Sequence, residues 1–217
     1  MNQHRPRPRG ALAGGLVVAL LVATAGCTSD PEAPRETAPS PLPERSVGAA
    51  PTLAAKPVPL EVTVAKVVGE RLRKDQRRRL EKQVAGVISR YFDDAYLGGE
   101  YPRRDFSGAF AAFTGGAAER AAKDRDILTN ATVGAETEAV VPRAQLARLD
   151  VLVPRRFVAG LTARVRLVFF QDRTGGADQK VTVKGRLMLS RNSAGEWQIF
   201  GYDVSRSSAR AGKGGGR

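Results

Sequence analysis

The chain has 217 residues, room for one domain with extensions, and its 35 Lys+Arg against 22 Asp+Glu give a formal charge of +13. Its single Cys is Cys27 and its single His is His4, so no intrachain disulfide can form. The sequence beyond Cys27 therefore has no His or thiol for histidine-ligated zinc, a Ser-His-Asp triad or a Cys-His dyad.

At the start of the chain, Arg5, Arg7 and Arg9 form a basic segment, and Ala11 to Ala25 form a run of small and apolar residues. That run is shorter than the roughly 20 residues a membrane-spanning helix needs. Thr24-Ala25-Gly26-Cys27 resembles the lipobox of bacterial lipoproteins, with Thr24 standing where Leu is usual. The resemblance implies cleavage before Cys27, lipid on its thiol, and attachment to the extracytoplasmic face of the cell membrane. The competing reading is an ordinary secretory signal with a chance Cys; the placement of the only Cys favours the lipobox. Thr28 to Pro59 carries eight prolines among Ala, Ser, Thr and Glu and reads as a tether, spanning roughly 30 Å as a coil and about 100 Å as extended polyproline. Residues 1–26 are thus expected to be signal, 27–59 lipidated Cys and tether, 60–206 the folded domain, and 207–217 a disordered basic tail.

Within the domain, Val62, Val64 and Val68 suggest a short first strand. From about Lys74 the period changes. Leu80, Val84, Val87, Ile88, Tyr91 and Ala95 make one stripe of an amphipathic helix, and Gly98-Gly99 stops it. Phe106, Phe110 and Phe113 have the spacing of a second, short helix closed by Gly115-Gly116, and a third runs from about Ala117 to Leu128. Val140-Val141 and Leu146 to Val153 read as strands, turning at Pro154-Arg155-Arg156 into the alternating Leu161 to Phe169. Two further strands follow, one carrying Val181, Val183, Leu187 and Leu189, the other running from Glu196 to Val204. Segregated helices and strands argue for α+β, with helices packed on one face of a curved antiparallel sheet.

Tyr91-Phe-Asp-Asp-Ala-Tyr96 at the end of the first helix, with the closing strands Gly185-Arg-Leu-Met-Leu189 and Gly195-Glu-Trp-Gln-Ile-Phe-Gly-Tyr-Asp-Val204, resembles the nuclear transport factor 2-like fold over about residues 61–205. That fold is a cone in which a bent sheet wraps over a long helix. Lipobox, Pro-rich tether and such a domain together resemble envelope lipoproteins of high-GC Gram-positive bacteria. The resemblance implies homodimerisation through the outer sheet face. It does not decide activity, since the fold hosts isomerases, dehydratases and non-catalytic binding modules alike.

The residue types present leave a narrow choice of chemistry. Acid–base work by a carboxylate and a phenol would draw on Asp94 at the edge of the helix stripe, Tyr91 within it, and Tyr202; the alternative is that Asp94 is solvated and the tyrosines are core rings. Phe106, Phe110 and Phe113, with Tyr101, either line an apolar ligand cavity or pack a short helix on the sheet. Arg71-Leu-Arg-Lys-Asp-Gln-Arg-Arg-Arg79 is a cation cluster, but no aromatic residues interleave with it to stack bases, so an anionic envelope surface suits it better than nucleic acid. No metal or cofactor is expected. The expected role is a non-catalytic envelope lipoprotein binding an envelope protein or an apolar, lipid-like ligand, with a small-molecule enzyme as the alternative.

Overall fold

Alternating apolar residues build one sheet, and the computed structural model describes it within residues 58–211. Cys27, the signal, nearly all of the tether and the end of the tail lie outside the described residues. Strand β1 (Glu61–Gly69) leads into helix α1 (Lys74–Phe92), which continues as a π turn, Asp93–Leu97. A 3-10 turn (Ser107–Phe110), α2 (Gly115–Lys123), the single turn α3 (Arg125–Leu128) and a second 3-10 turn (Gly134–Glu136) follow. Then come β2 (Thr137–Val153), β3 (Gly160–Arg173), β4 (Gln179–Arg191) and β5 (Trp197–Arg210). The strands lie in the order β1-β2-β3-β4-β5, so the domain is α+β with a curved five-stranded sheet.

Several expectations need correction. The sheet is mixed, because β1 runs parallel to β2 while the other pairings are antiparallel. A parallel pair needs a crossover, and here the helical segments supply it. A register shift between Val64 and Lys66 reverses the alternation in β1, so Val67 packs on the core and Val68 turns outward. Phe106 to Phe113 is only one 3-10 turn, and Gly115-Gly116 opens α2 instead of closing a helix. Val140-Val141 and Leu146 to Val153 belong to one strand, interrupted by a register shift between Pro142 and Ala144. Strand β5 extends to Arg210, into the expected tail, because Gln179 to Val183 continue the ladder beside it.

The α1 stripe does what its period requires: Leu80, Val84, Ile88 and Tyr91 are buried against the inner sheet face. That face carries Leu149, Val151, Val165, Leu167, Phe169, Val183, Leu187, Leu189, Trp197 and Ile199. At Gly185 the backbone has φ +153°, and a Cβ there would lie 2.1 Å from the Asp203 carbonyl oxygen. Only glycine permits β4 and β5 to approach so closely at that kink. Every core member lies between Val64 and Ile199, and the segment from Pro51 onward is a compact unit.

Candidate functional site

Around the end of α1, Tyr91 and Tyr101, which the sequence singles out, meet Tyr96, Asn130 and Arg206, which it does not. Tyr91 and Tyr96 are both fully buried, their hydroxyls 3.4 Å apart. The Tyr91 hydroxyl donates to the Leu128 carbonyl at 3.1 Å, and that of Tyr96 donates to the Ile127 carbonyl at 2.9 Å. Arg206 reaches from β5 to the Thr129 carbonyl at 2.5 Å and to that of Asp126 at 3.4 Å. These donors satisfy carbonyls that the short turn α3 leaves without intrahelical partners. The phenols act here as caps for a helix end.

A second knot closes the π turn. The Tyr101 hydroxyl donates to the Tyr96 carbonyl at 2.7 Å, and Asn130 Nδ2 donates to the same carbonyl at 2.9 Å and to the Tyr101 oxygen at 3.0 Å. Asn130 is fully buried, and its Oδ1 has no hydrogen-bond partner. Burial drives the Tyr91 phenol well above its ordinary range, with the neighbouring Tyr96 adding to the shift. Burial also raises Tyr96 and Tyr101, and lowers Arg206.

The aromatic rings fill the space between α1 and the sheet. Tyr91 meets Phe113 edge-on at 5.2 Å between centroids, Phe113 meets Phe110 at 5.3 Å, and Tyr96 meets Phe169 at 6.1 Å. Phe106 is buried beneath the Arg103 guanidinium, 4.3 Å from its ring centre. Phe113 joins the sheet through a parallel bridge to Ile199, and Phe110 is partly buried beside it. The three phenylalanines are thus packed as core and core margin.

The carboxylate and the phenols are not brought together. Asp94 lines an open cleft with Asp93, Gly98, Glu100, Arg103 and Asp105. There Asp93 is raised, by burial and then by the charge of Asp94. Tyr202 is elsewhere: its hydroxyl donates to Asp124 at 2.7 Å, and its ring packs 6.1 Å from Phe113. Burial and then that hydrogen bond push Tyr202 up to about 12. Among the described residues no group of three His, Cys, Asp or Glu could hold a metal, and no helix is long and apolar enough to cross a membrane.

Sequence reasoning missed Tyr96, Asn130 and Arg206 as partners. Tyr96 lies where the π turn adds a residue and shifts the helical phase. Asn130 lies in a stretch with no period, and Arg206 reads as one more surface cation. No protein-family model, curated protein or solved structure matches the chain.

Proposed function

We propose that the domain is a nuclear transport factor 2-like cone working as a non-catalytic binding module, held at the extracytoplasmic face of the cell membrane by lipid on Cys27. The observation that carries this reading is the occupied interior. The rings of Tyr91, Tyr96, Phe113 and Phe169 take up the space where the enzyme alternative would place a substrate. The hydroxyls of Tyr91 and Tyr96 are bonded to backbone carbonyls instead of being presented to a reacting group. Asp94 lines an open surface cleft, with no hydrogen bond to either Tyr91 or Tyr202. An envelope protein or a lipid-like molecule would therefore be engaged on the outside of the domain.

The test is capture from an envelope extract by immobilised segment 51–217, as parent and as Asp94→Asn, followed by mass spectrometry of bound proteins and small molecules. A partner retained equally by both proteins supports the module. A bound small molecule converted by the parent and left unconverted by Asp94→Asn would replace this reading with the enzyme.

A further inference from the structure

We propose that the end of the sheet where β2 turns into β3, together with the adjoining start of α1, is a rim that docks on anionic phospholipid headgroups. Phe157 and its apolar neighbours enter the interfacial layer. The proposal deepens the membrane reading above, and the test omits Cys27, so failure of the rim and failure of the anchor are separable.

The exposed large hydrophobic residues of the described chain are Val68, Ile127, Leu152, Phe157 and Phe200, and all but Ile127 lie at this end. Phe157 is 58 % exposed on the β2–β3 turn, and Leu152 and Val68, at 48 % and 47 %, are direct partners across β2 and β1. Phe200, at 45 %, lines with Leu152 and Met188 a shallow groove on the outer sheet face. Exposed apolar side chains gathered in one place mark a surface that is covered when it works.

The charge around them has one sign. The segment 70–79 and the turn together contribute Arg71, Arg73, Lys74, Arg77, Arg78, Arg79, Arg155 and Arg156, against only Glu70 and Asp75. Those two carboxylates are already engaged, Glu70 by Arg156, and Asp75 by Arg73 and Arg79. Arg71, Lys74, Arg78 and Arg155 have no ion-pair partner among the described residues. Arg77 ties the first turn of α1 to the Val64 carbonyl, whereas Lys74 opposes the helix dipole there without an ion pair among the described residues. Arg155 and Arg156 hold φ +48° and +68°, a left-handed backbone that non-glycine residues rarely adopt. That conformation presents two guanidinium groups and a phenyl ring consecutively on one turn.

Shape selects a bilayer over an acidic protein. Phe157 borders a cleft of about 470 Å³ on the α1 side, shared with Leu72, Arg79 and Arg191, whereas Leu152 and Phe200 lie on the opposite sheet face. The apolar residues therefore straddle a projecting edge. A headgroup layer can deform around an edge of that kind, with arginines at phosphate depth and the ring below them.

The experiment is flotation of segment 51–217 with vesicles of phosphatidylcholine, or of phosphatidylcholine with about 30 % phosphatidylglycerol, at low and high salt. The expected result is partitioning at least about tenfold stronger on the anionic vesicles, weakening as salt screens the charge. Phe157→Ser should lower it about fivefold or more, and Arg155→Glu with Arg156→Glu about tenfold or more. All three side chains are exposed, and unchanged circular dichroism would show that the variants fold. Arg166→Glu with Lys184→Glu, in the middle of the outer face, should leave binding within about twofold. Equal binding to both vesicle types, no binding, or variants that bind like the parent would overturn the proposal. Loss confined to the mid-face variant would also overturn it, as would capture of soluble polyglutamate without vesicles. So would a dimer that dissociates on Phe157→Ser.

Discussion

Replacing Ile88 with Ala tests the packing on which the domain rests. Ile88 sits at 0 % exposure in the middle of the α1 stripe, with Val84 before it and Tyr91 after it, and both are buried. The substitution removes three methyl or methylene groups, worth about 2.4 kcal/mol of lost transfer energy at roughly 0.8 kcal/mol each. Ile88 belongs to the continuous buried core, whose close-packed side chains can collapse only partly into the gap. A cavity contribution therefore brings the expected loss to about 3–4 kcal/mol. Urea unfolding of segment 51–217, followed by the fluorescence of Trp197, measures it: the midpoint should fall while the slope stays constant. Ile88→Val should cost only about 1 kcal/mol. A loss below about 0.5 kcal/mol for Ile88→Ala would mean that α1 does not bury this stripe, and the placement of the core would be wrong.

Gly185→Ala forces a Cβ to within 2.1 Å of the Asp203 carbonyl at a φ of +153°, and should cost about 2–4 kcal/mol in the same unfolding assay. Gly201→Ala is the contrast, since its nearest neighbour is the flexible tip of Met188 at 3.2 Å, and it should cost less than about 1 kcal/mol. A spectrophotometric phenol titration should show none of the four tyrosines ionising at the ordinary value near 10 while the domain is folded, because all four are raised. The unfolded chain loses those protons near pH 10, so their stabilising contribution is complete below that pH and declines as pH rises through the folded values, including about 12 for Tyr202. A tyrosine that titrates near 10 before the circular dichroism changes would contradict this.

The parts of the fold that follow from a simple period were legible. The alternation in β3 and β4 and the i, i+4 stripe of α1 name core residues directly, and Leu80, Ile88, Leu167 and Leu187 are all buried. Irregularities were not legible. The register shift after Val64 turns Val68, which simple alternation puts on the face of Val62 and Val64, out to solvent, and no residue type announces it. The parallel pairing of β1 depends on where the chain returns after the helices, which is non-local information. The phenylalanine spacing suggested a helix because 106, 110 and 113 share a face, yet tertiary bonds from Ile199 to Ala112 and Thr114 hold that segment extended beyond one 3-10 turn. The candidate acid–base set failed to converge for a similar reason. The π turn shifts the phase after Phe92, and the hydroxyls of Tyr91 and Tyr202 take different partners, Leu128 and Asp124.

In the proposed function the place where the domain works is set by lipid on Cys27, and the most direct measurement is the mass of the N-terminal peptide of the protein extracted by detergent from cells that express the full chain. The proposed function predicts that this peptide begins at Cys27 and carries a thioether-linked diacylglyceryl group. A peptide containing an unmodified Cys27, or one that begins at another residue, would contradict the lipid anchor and with it the proposed display of the domain outside the membrane.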